Sequence, residues 1–353
     1  MPLGPKVPFT TGSAAFDPDT LFAQWQSGDR PLPENNDLRT SIIHTFNLSP
    51  NDNYIYHAIA SVTLAQVQQA IGHGRDKGLH AWYRDDDGNV LDPPTPPDIS
   101  AYITLFSPTT TPSKALTAFA SNARKSSLRH ASASYLSSQR RLPPTITIPR
   151  SKQHINPALD FWTWSCHALD WCGPVPGTEK VKQSHHVLPV FMHHFGCVVP
   201  SFEALEMIRQ IAGKREVYDI GSGNGYWSYM LRRQGVEVVA VDNAQSVWRT
   251  MWVGDTVEMD GGEGEGRDGV LLLVYPVVGG EFTKRIVGAY GGRTIVVAGT
   301  QNGNGYTGFE GERVDEWMAR EQGEFAKTVQ VALPSFAGKD EALFVFEREE
   351  EKA

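Results

Sequence analysis

The sequence predicts an α/β fold: a doubly wound, mostly parallel sheet that ends in a β-hairpin, preceded by a mainly helical N-terminal extension. Three observations predict it. Val217 to Ile220 reads as a strand that runs into a glycine-rich turn, a helix, and a second strand, Val238 to Val241, ending on Asp242. That is half of a nucleotide-type βαβ unit. Val270 to Val274 and Thr294 to Ala298 are continuous apolar runs, the pattern of central strands buried on both faces. Phe325 to Leu333 and Glu341 to Glu347 flank Pro334 to Gly338 and read as a closing antiparallel pair.

In chain order, residues 1–35 are Pro-rich, with one short helix near Asp19 to Gln26. Asp37 to Asn47 and Tyr54 to Ile71 read as helices; the second places Ile55, Ala58, Ile59, Val62, Ala65 and Ala70 near one face. Asp85 to Asn89 is a turn, and its three aspartates miss the spacing of a calcium-binding loop. Asp92 to Pro97 is a Pro-rich loop, and Ser113 to Gln139 a Ser/Ala-rich helical stretch. Pro143, Pro144 and Pro149 mark a boundary, giving a helical region over 1–150, a lead-in over 151–200 and a sheet domain over 201–353. Within the last, helices are expected from Ser201 to Ala212, from Tyr226 to Gln234 before the helix-ending Gly235, and from Phe282 to Tyr290. Asp255 to Asp260 reads as a third strand and 261–268 as a polar loop.

The chain has 353 residues and a formal net charge of −8. Hydrophobic content of 40% fits a cored globular protein. No apolar run approaches the ~18 residues that would suggest a membrane span, and the first residues lack an apolar signal core. Three cysteines are too few for a disulfide framework and suit a reducing compartment, so a cytoplasmic setting is expected, with a nuclear one open. No acid occurs from Ile99 to Leu159, where eight bases do: Lys114, Arg124, Lys125, Arg129, Arg140, Arg141, Arg150 and Lys152. This basic 113–152 segment is a possible phosphate-backbone footprint; a solvated helix on the acidic sheet domain is the favoured reading.

The glycine turn decides the ligand class. Its glycines fall at 221, 223 and 225, whereas the dinucleotide fingerprint wants the third at 226, where the chain has Tyr226. A Gly-Lys-Ser/Thr phosphate loop is absent. Asp219 stands two residues before the first glycine. This D-x-G-x-G-x-G pattern, with an acid closing the next strand and a terminal hairpin, resembles the Rossmann-like S-adenosyl-L-methionine-dependent methyltransferases. The resemblance covers about Ser201 to Arg348. It implies that Gly221, Ser222, Gly223, Asn224 and Gly225 let the backbone pass close beside an adenosine. It further implies that Asp242 accepts the ribose hydroxyls, with Asn243 beside it in the cofactor site, that Asp219 helps hold the methionine ammonium, and that Asp260, or more weakly Asp255, meets the adenine. The runs Val296 to Asn302 and Leu333 to Ala342 are similar to an uncharacterised fungal methyltransferase-like group, which implies no particular acceptor.

The acceptor half carries weaker signals. Tyr275-Pro276 takes the place of the family's acceptor-facing motif, so Tyr275 is a candidate for both cofactor contact and catalysis. The Asn/Asp/Ser-Pro-Pro-aromatic motif of amino-directed nucleic-acid enzymes is absent there, as is the Pro-Cys of cytosine-C5 enzymes. Small-molecule or protein acceptors are therefore favoured over nucleic acid. His193 and His194, in the segment entering the sheet, are candidate general bases because imidazole titrates near neutrality. Three cysteines and five histidines fall between residues 166 and 197, but their spacing matches no standard zinc pattern, so no metal is expected. The amide-rich loop from Gly299 to Thr307 either orients an acceptor or simply turns the chain. A non-catalytic binding module on the same fold is the alternative function.

Overall fold

A computed structural model describes residues 16–58, 60–76, 79–181, 186–259, 269–277, 281–309 and 311–349. Among these, the N-terminal part holds α1 (Pro18–Ser27), α2 (Leu38–Thr45), a small pair of strands β1 (Tyr56–His57) and β2 (Ser61–Val62), α3 (Leu64–His73), α4 (Pro96–Thr104), α5 (Pro112–Ser121), α6 (Leu128–Gln139), α7 (Pro157–Ala168) and α8 (Leu188–Phe195). The sheet half follows with α9 (Phe202–Ala212), β3 (Val217–Ile220), α10 (Tyr226–Arg232), β4 (Val238–Asp242), β5 (Val257–Glu258), β6 (Val270–Val274), α11 (Phe282–Ala289), β7 (Thr294–Thr300), α12 (Val314–Glu321), β8 (Phe325–Ala332) and β9 (Glu341–Arg348).

Among the described residues, seven strands form one sheet in the order β5-β4-β3-β6-β7-β9-β8. The five strands β5, β4, β3, β6 and β7 run parallel, and β9 inserts antiparallel between β7 and β8. The chain leaves β3 toward β4 and β5, then returns to β6 on the other side. That reversal between β3 and β6 is the topological switch point where open α/β sheets bind ligands. The expected doubly wound sheet with a terminal hairpin is the fold observed.

Alternate side chains divide between two cores, as the two-residue period of a strand requires. Leu271, Leu273, Ile295, Val297, Phe344 and Phe346 meet Ile286 and Val287 of α11 and Trp317 and Met318 of α12. Leu272, Val296, Val331 and Val345 face the opposite side, in a core continuous with Trp25, Tyr56, Trp82 and Trp162. The N-terminal extension thus forms the second covering layer, and the prolines at 143–149 do not divide two cores. Two buried indoles fasten that layer: Trp162 and Trp171 each donate to the Ser335 carbonyl at 2.9 Å.

Several local expectations need correction. Tyr54 to Ile71 is not one helix. Thr63 and Gln66 form a reciprocal capping box, so α3 starts at Leu64, while Tyr54 and Tyr56 are buried upstream on an extended segment. The 113–139 stretch breaks into α5 and α6, because Ser127 accepts from the His130 N–H and starts a new helix. The Pro-rich segment around 96 begins α4, with proline in the first turn where no N–H is needed. The third strand shrinks to Val257–Glu258. Asp260 and the 261–268 loop lie outside the described residues, as does His185.

Candidate functional site

The glycine loop is held by its neighbours before any ligand is considered. Gly221 and Ser222 both donate to the Val241 carbonyl, at 2.8 and 3.0 Å. Gly223 donates to Asp242 Oδ2 at 2.9 Å, and Ala244 donates to Oδ1 at 2.9 Å. Gly223 has φ +59°, and an added Cβ would lie 2.8 Å from Trp248. Gly225, at φ +78°, starts α10 and would overlap Val253 if it carried a Cβ. Glycine is therefore needed at both positions for conformation and for space.

A cleft of about 610 Å³ opens above this loop. Its walls include Gly221, Ser222, Gly223 and Asn224 after β3, Asp242 at the end of β4, and Tyr275 after β6. The opposite wall comes from Tyr54, His57, His193, Cys197 and Trp248. Among the described residues, two buried polar atoms of the loop lack partners: Ser222 Oγ and Asn224 Nδ2. A close-approach backbone, an acid closing the second strand and unpartnered loop dipoles fit an adenosine-bearing ligand. In such a ligand the ribose hydroxyls would meet Asp242.

Other predicted residues are placed differently. Asp219 is fully buried beneath the loop and does not line the cleft. Its Oδ2 accepts from Ser228 at 2.6 Å while Oδ1 has no partner. Burial pushes this carboxyl up to about 7, against the Ser228 hydrogen bond and with help from the Asp242 charge. Asn243 spends its side-chain oxygen on a local turn to Gln245 N–H at 3.2 Å and does not line the cleft.

The two histidines diverge. His193 lines the cleft, but Nδ1 pairs with Tyr54 Oη at 3.1 Å and Nε2 with the His57 backbone at 2.9 and 3.2 Å. His194 is fully buried, stacked 3.9 Å from Phe46, and bonds Tyr56 at 3.1 Å and Thr250 at 2.7 Å. Burial holds both imidazoles below their usual range. Neither offers a ring nitrogen without a partner, so the general-base role expected of them has no free acceptor atom in this arrangement. Tyr226, at the dinucleotide glycine position, instead staples the start of α7 by donating to Asn156 at 2.7 Å.

Sequence reasoning missed the residues behind Tyr275. Lys339, Asp340 and Glu341 are all buried at the start of β9. Asp340 accepts from Tyr135 at 2.6 Å and from Gln301 at 2.8 Å, so the amide of that loop faces inward. The one available signal was three consecutive charges abutting an apolar strand. Among the described residues no group of three His, Cys, Asp or Glu is arranged to hold a metal, and no helix is long and apolar enough to cross a membrane.

The basic segment is partly absorbed by the fold. Arg140 pairs with Glu203, Arg129 packs over Phe119 and pairs with Asp98, and the Arg141 backbone bridges to Gln330. Lys114, Arg124, Lys125, Arg150 and Lys152 stay exposed.

No protein-family model matches the chain, and no curated protein matches it. Solved structures with similar folds include S-adenosylmethionine-dependent methyltransferases. The 1,6-didemethyltoxoflavin-N1-methyltransferase of Burkholderia thailandensis, bound to S-adenosylhomocysteine, is 16% identical, covering 41% of this chain and 76% of its own, with TM-score 0.30. Magnesium protoporphyrin IX methyltransferase from Synechocystis, bound to S-adenosylmethionine, is 11% identical over 49% of this chain and 89% of its own, TM-score 0.33. A putative RNA methyltransferase from Pyrococcus horikoshii is 13% identical over 48% and 91%, TM-score 0.29. Likeness at this level carries no argument about substrate, and it shows no fungal group. The strand order and switch-point cleft carry the fold assignment.

Proposed function

We propose that this chain is an S-adenosyl-L-methionine-dependent methyltransferase whose acceptor is a small molecule or protein rather than nucleic acid. The observation that supports it most is Asp242: it closes β4, receives the Gly223 N–H, and stands on the wall of the switch-point cleft. When bound, the cofactor supplies an activated methyl group on a sulfonium. The chain's own part is positioning. Gly221 to Asn224 would pass beside the adenosine, Asp242 would accept the ribose hydroxyls, and Tyr275 would face the acceptor. Asp219 acts beneath the loop, fixing it through Ser228. Asp260 remains the proposed partner of the adenine. His193 shapes the wall with Tyr54, and His194 anchors that wall to the core.

Isothermal titration with S-adenosylmethionine and S-adenosylhomocysteine tests this. Binding of both is expected, and Asp242→Ala should weaken it at least 100-fold. Absence of sub-millimolar binding to the wild-type chain would sink the proposal. The non-catalytic alternative draws on one feature, the Tyr275-Pro276-Val277 sequence in place of the nucleic-acid acceptor motif. Labelled cofactor incubated with protein and cell extract separates the two, because a binder leaves no methylated product.

A further inference from the structure

Tyr275 is the one aromatic residue with positive φ among the described residues apart from His80, at +56°. A bulky residue in the left-handed region is uncommon and needs its surroundings to hold it there. Here its N–H donates to the Ala298 carbonyl at 2.7 Å, which turns the ring onto the cleft wall beside Cys197. Behind the ring lies Lys339, only 2% exposed. Its Nζ donates to Tyr275 Oη at 3.3 Å and lies 3.0 Å from the Tyr306 ring centroid. Among the described residues no carboxylate comes within ion-pair distance of it. Glu341, 1% exposed, faces the same region, and its Oε2 has no hydrogen-bond partner among the described residues.

An ammonium and a carboxylate buried without a direct bond are costly to keep charged. Burial draws the Lys339 amine down and pushes the Glu341 carboxyl up, while the charge of each partly offsets the shift of the other. Other titratable neighbours are Cys197 from the lead-in, its thiol pushed up to about 12 by burial, Tyr306 from the loop after β7, raised by burial, and Asp340, pushed up to about 6 by burial. The Tyr275 phenol is itself held well above its ordinary range by burial, so it stays protonated across neutral pH. A protonated phenol whose oxygen touches an amine that burial makes easier to deprotonate is a connection through which a proton can pass.

We propose that Tyr275 and Lys339 form a proton relay for a methyl acceptor of the O–H or N–H class. With the lysine neutral the hydrogen bond between the two reverses: the Tyr275 hydroxyl donates to Nζ, and its proton passes to the amine as the Tyr275 oxygen takes the acceptor's proton. The acceptor lone pair forms the bond to the methyl carbon. The carbon–sulfur electrons remain on sulfur, turning sulfonium into thioether, and the released proton ends on Lys339 opposite Glu341. Tyr275 is the catalytic residue; Lys339 is a positioning residue that acts through it. The inference rests on the methyltransferase reading.

The test uses the full chain labelled with 15N-lysine, followed by NMR from pH 6 to 11. The Lys339 signal is assigned by its loss in Lys339→Met or, should that variant not fold, in Lys339→Arg. Its midpoint is expected well below the ~10.4 of an ordinary lysine, and Tyr275→Phe should move it. An ordinary midpoint, or one indifferent to Tyr275→Phe, overturns the relay whatever the acceptor. Methyl incorporation from labelled cofactor into extract should rise with pH through the Lys339 midpoint in the wild type. Lys339→Arg, which keeps the charge but cannot become neutral, should lose about 100-fold or more of the rate and that pH dependence. An Arg variant with wild-type incorporation would assign Lys339 an electrostatic role and overturn the relay. S-adenosylhomocysteine affinity is measured in parallel and is expected to be unchanged in the Lys339 variants. A wild-type chain that binds none of it defeats the methyltransferase reading itself, separately from the lysine titration.

Discussion

The two halves of the cleft are built by different means. The cofactor side is backbone: glycine N–H groups, one carbonyl and one carboxylate within residues 219–244. The acceptor side is side chains gathered from distant segments, with Tyr54 and His57 from the extension, His193 and Cys197 from the lead-in, Tyr275 after β6, and Lys339 and Glu341 at β9. A backbone site depends on conformations that only glycine adopts cheaply, so it writes itself into a short motif. A side-chain site depends on packing between elements far apart in the chain, and its identity emerges only when the fold brings them together.

The largest expected effect comes from breaking the scaffold of the acceptor side. Arg249 is fully buried, pairs with Asp52 from the extension, and stacks 4.4 Å from the Tyr54 ring centroid. Its backbone N–H donates to the His193 carbonyl at 3.2 Å, while Trp252 donates to the Asn224 carbonyl at 2.8 Å. The 249–252 segment therefore ties both walls together. Asp52→Ala strands a buried guanidinium and should cost about 3–5 kcal/mol in urea unfolding. Stability within 1 kcal/mol of wild type would show that the two halves are not joined through this pair.

A smaller, pH-dependent effect is expected on the cofactor side. The Asp219 carboxyl is raised to about 7 in the fold from an ordinary 3.8. A raised acid favours the folded state below its unfolded value, and that contribution fades as pH rises toward 7. Asp219→Asn keeps an acceptor for Ser228 without the charge. Thermal unfolding should show the variant more stable than wild type at pH 8 and nearly equal to it at pH 4. An equal gap at both values would mean that burial does not control this group.

The smallest effect is reserved for the exposed bases. Arg124→Ala with Lys125→Ala should change stability by less than about 0.5 kcal/mol and leave cofactor affinity unaltered. Salt-sensitive binding of the wild-type chain to a mixed-sequence RNA, lost in this variant, would restore the nucleic-acid footprint that the segment's charge first suggested.

The same contrast explains what the sequence made legible. The sheet strands, the terminal hairpin and the glycine loop follow from periodicity, glycine placement and apolar runs, all local properties. The helices at Pro96 and Pro157 were hidden because proline marks a loop and a first helical turn alike. Tyr54 to Ile71 misled because its apolar spacing suits a helix, yet Tyr54 and Tyr56 are claimed by His193 and His194 from far along the chain. Those same bonds occupy the imidazoles that looked available for catalysis. Lys339 and Glu341 gave no motif, since their meaning depends on burial behind Tyr275.

The most direct measurement is a crystal structure of the full chain with S-adenosylhomocysteine. The ribose hydroxyls are expected on the Asp242 carboxylate, the adenosine along Gly221 to Asn224, and the sulfur directed toward Tyr275. A ligand seated elsewhere, or one whose ribose leaves Asp242 untouched, would contradict it.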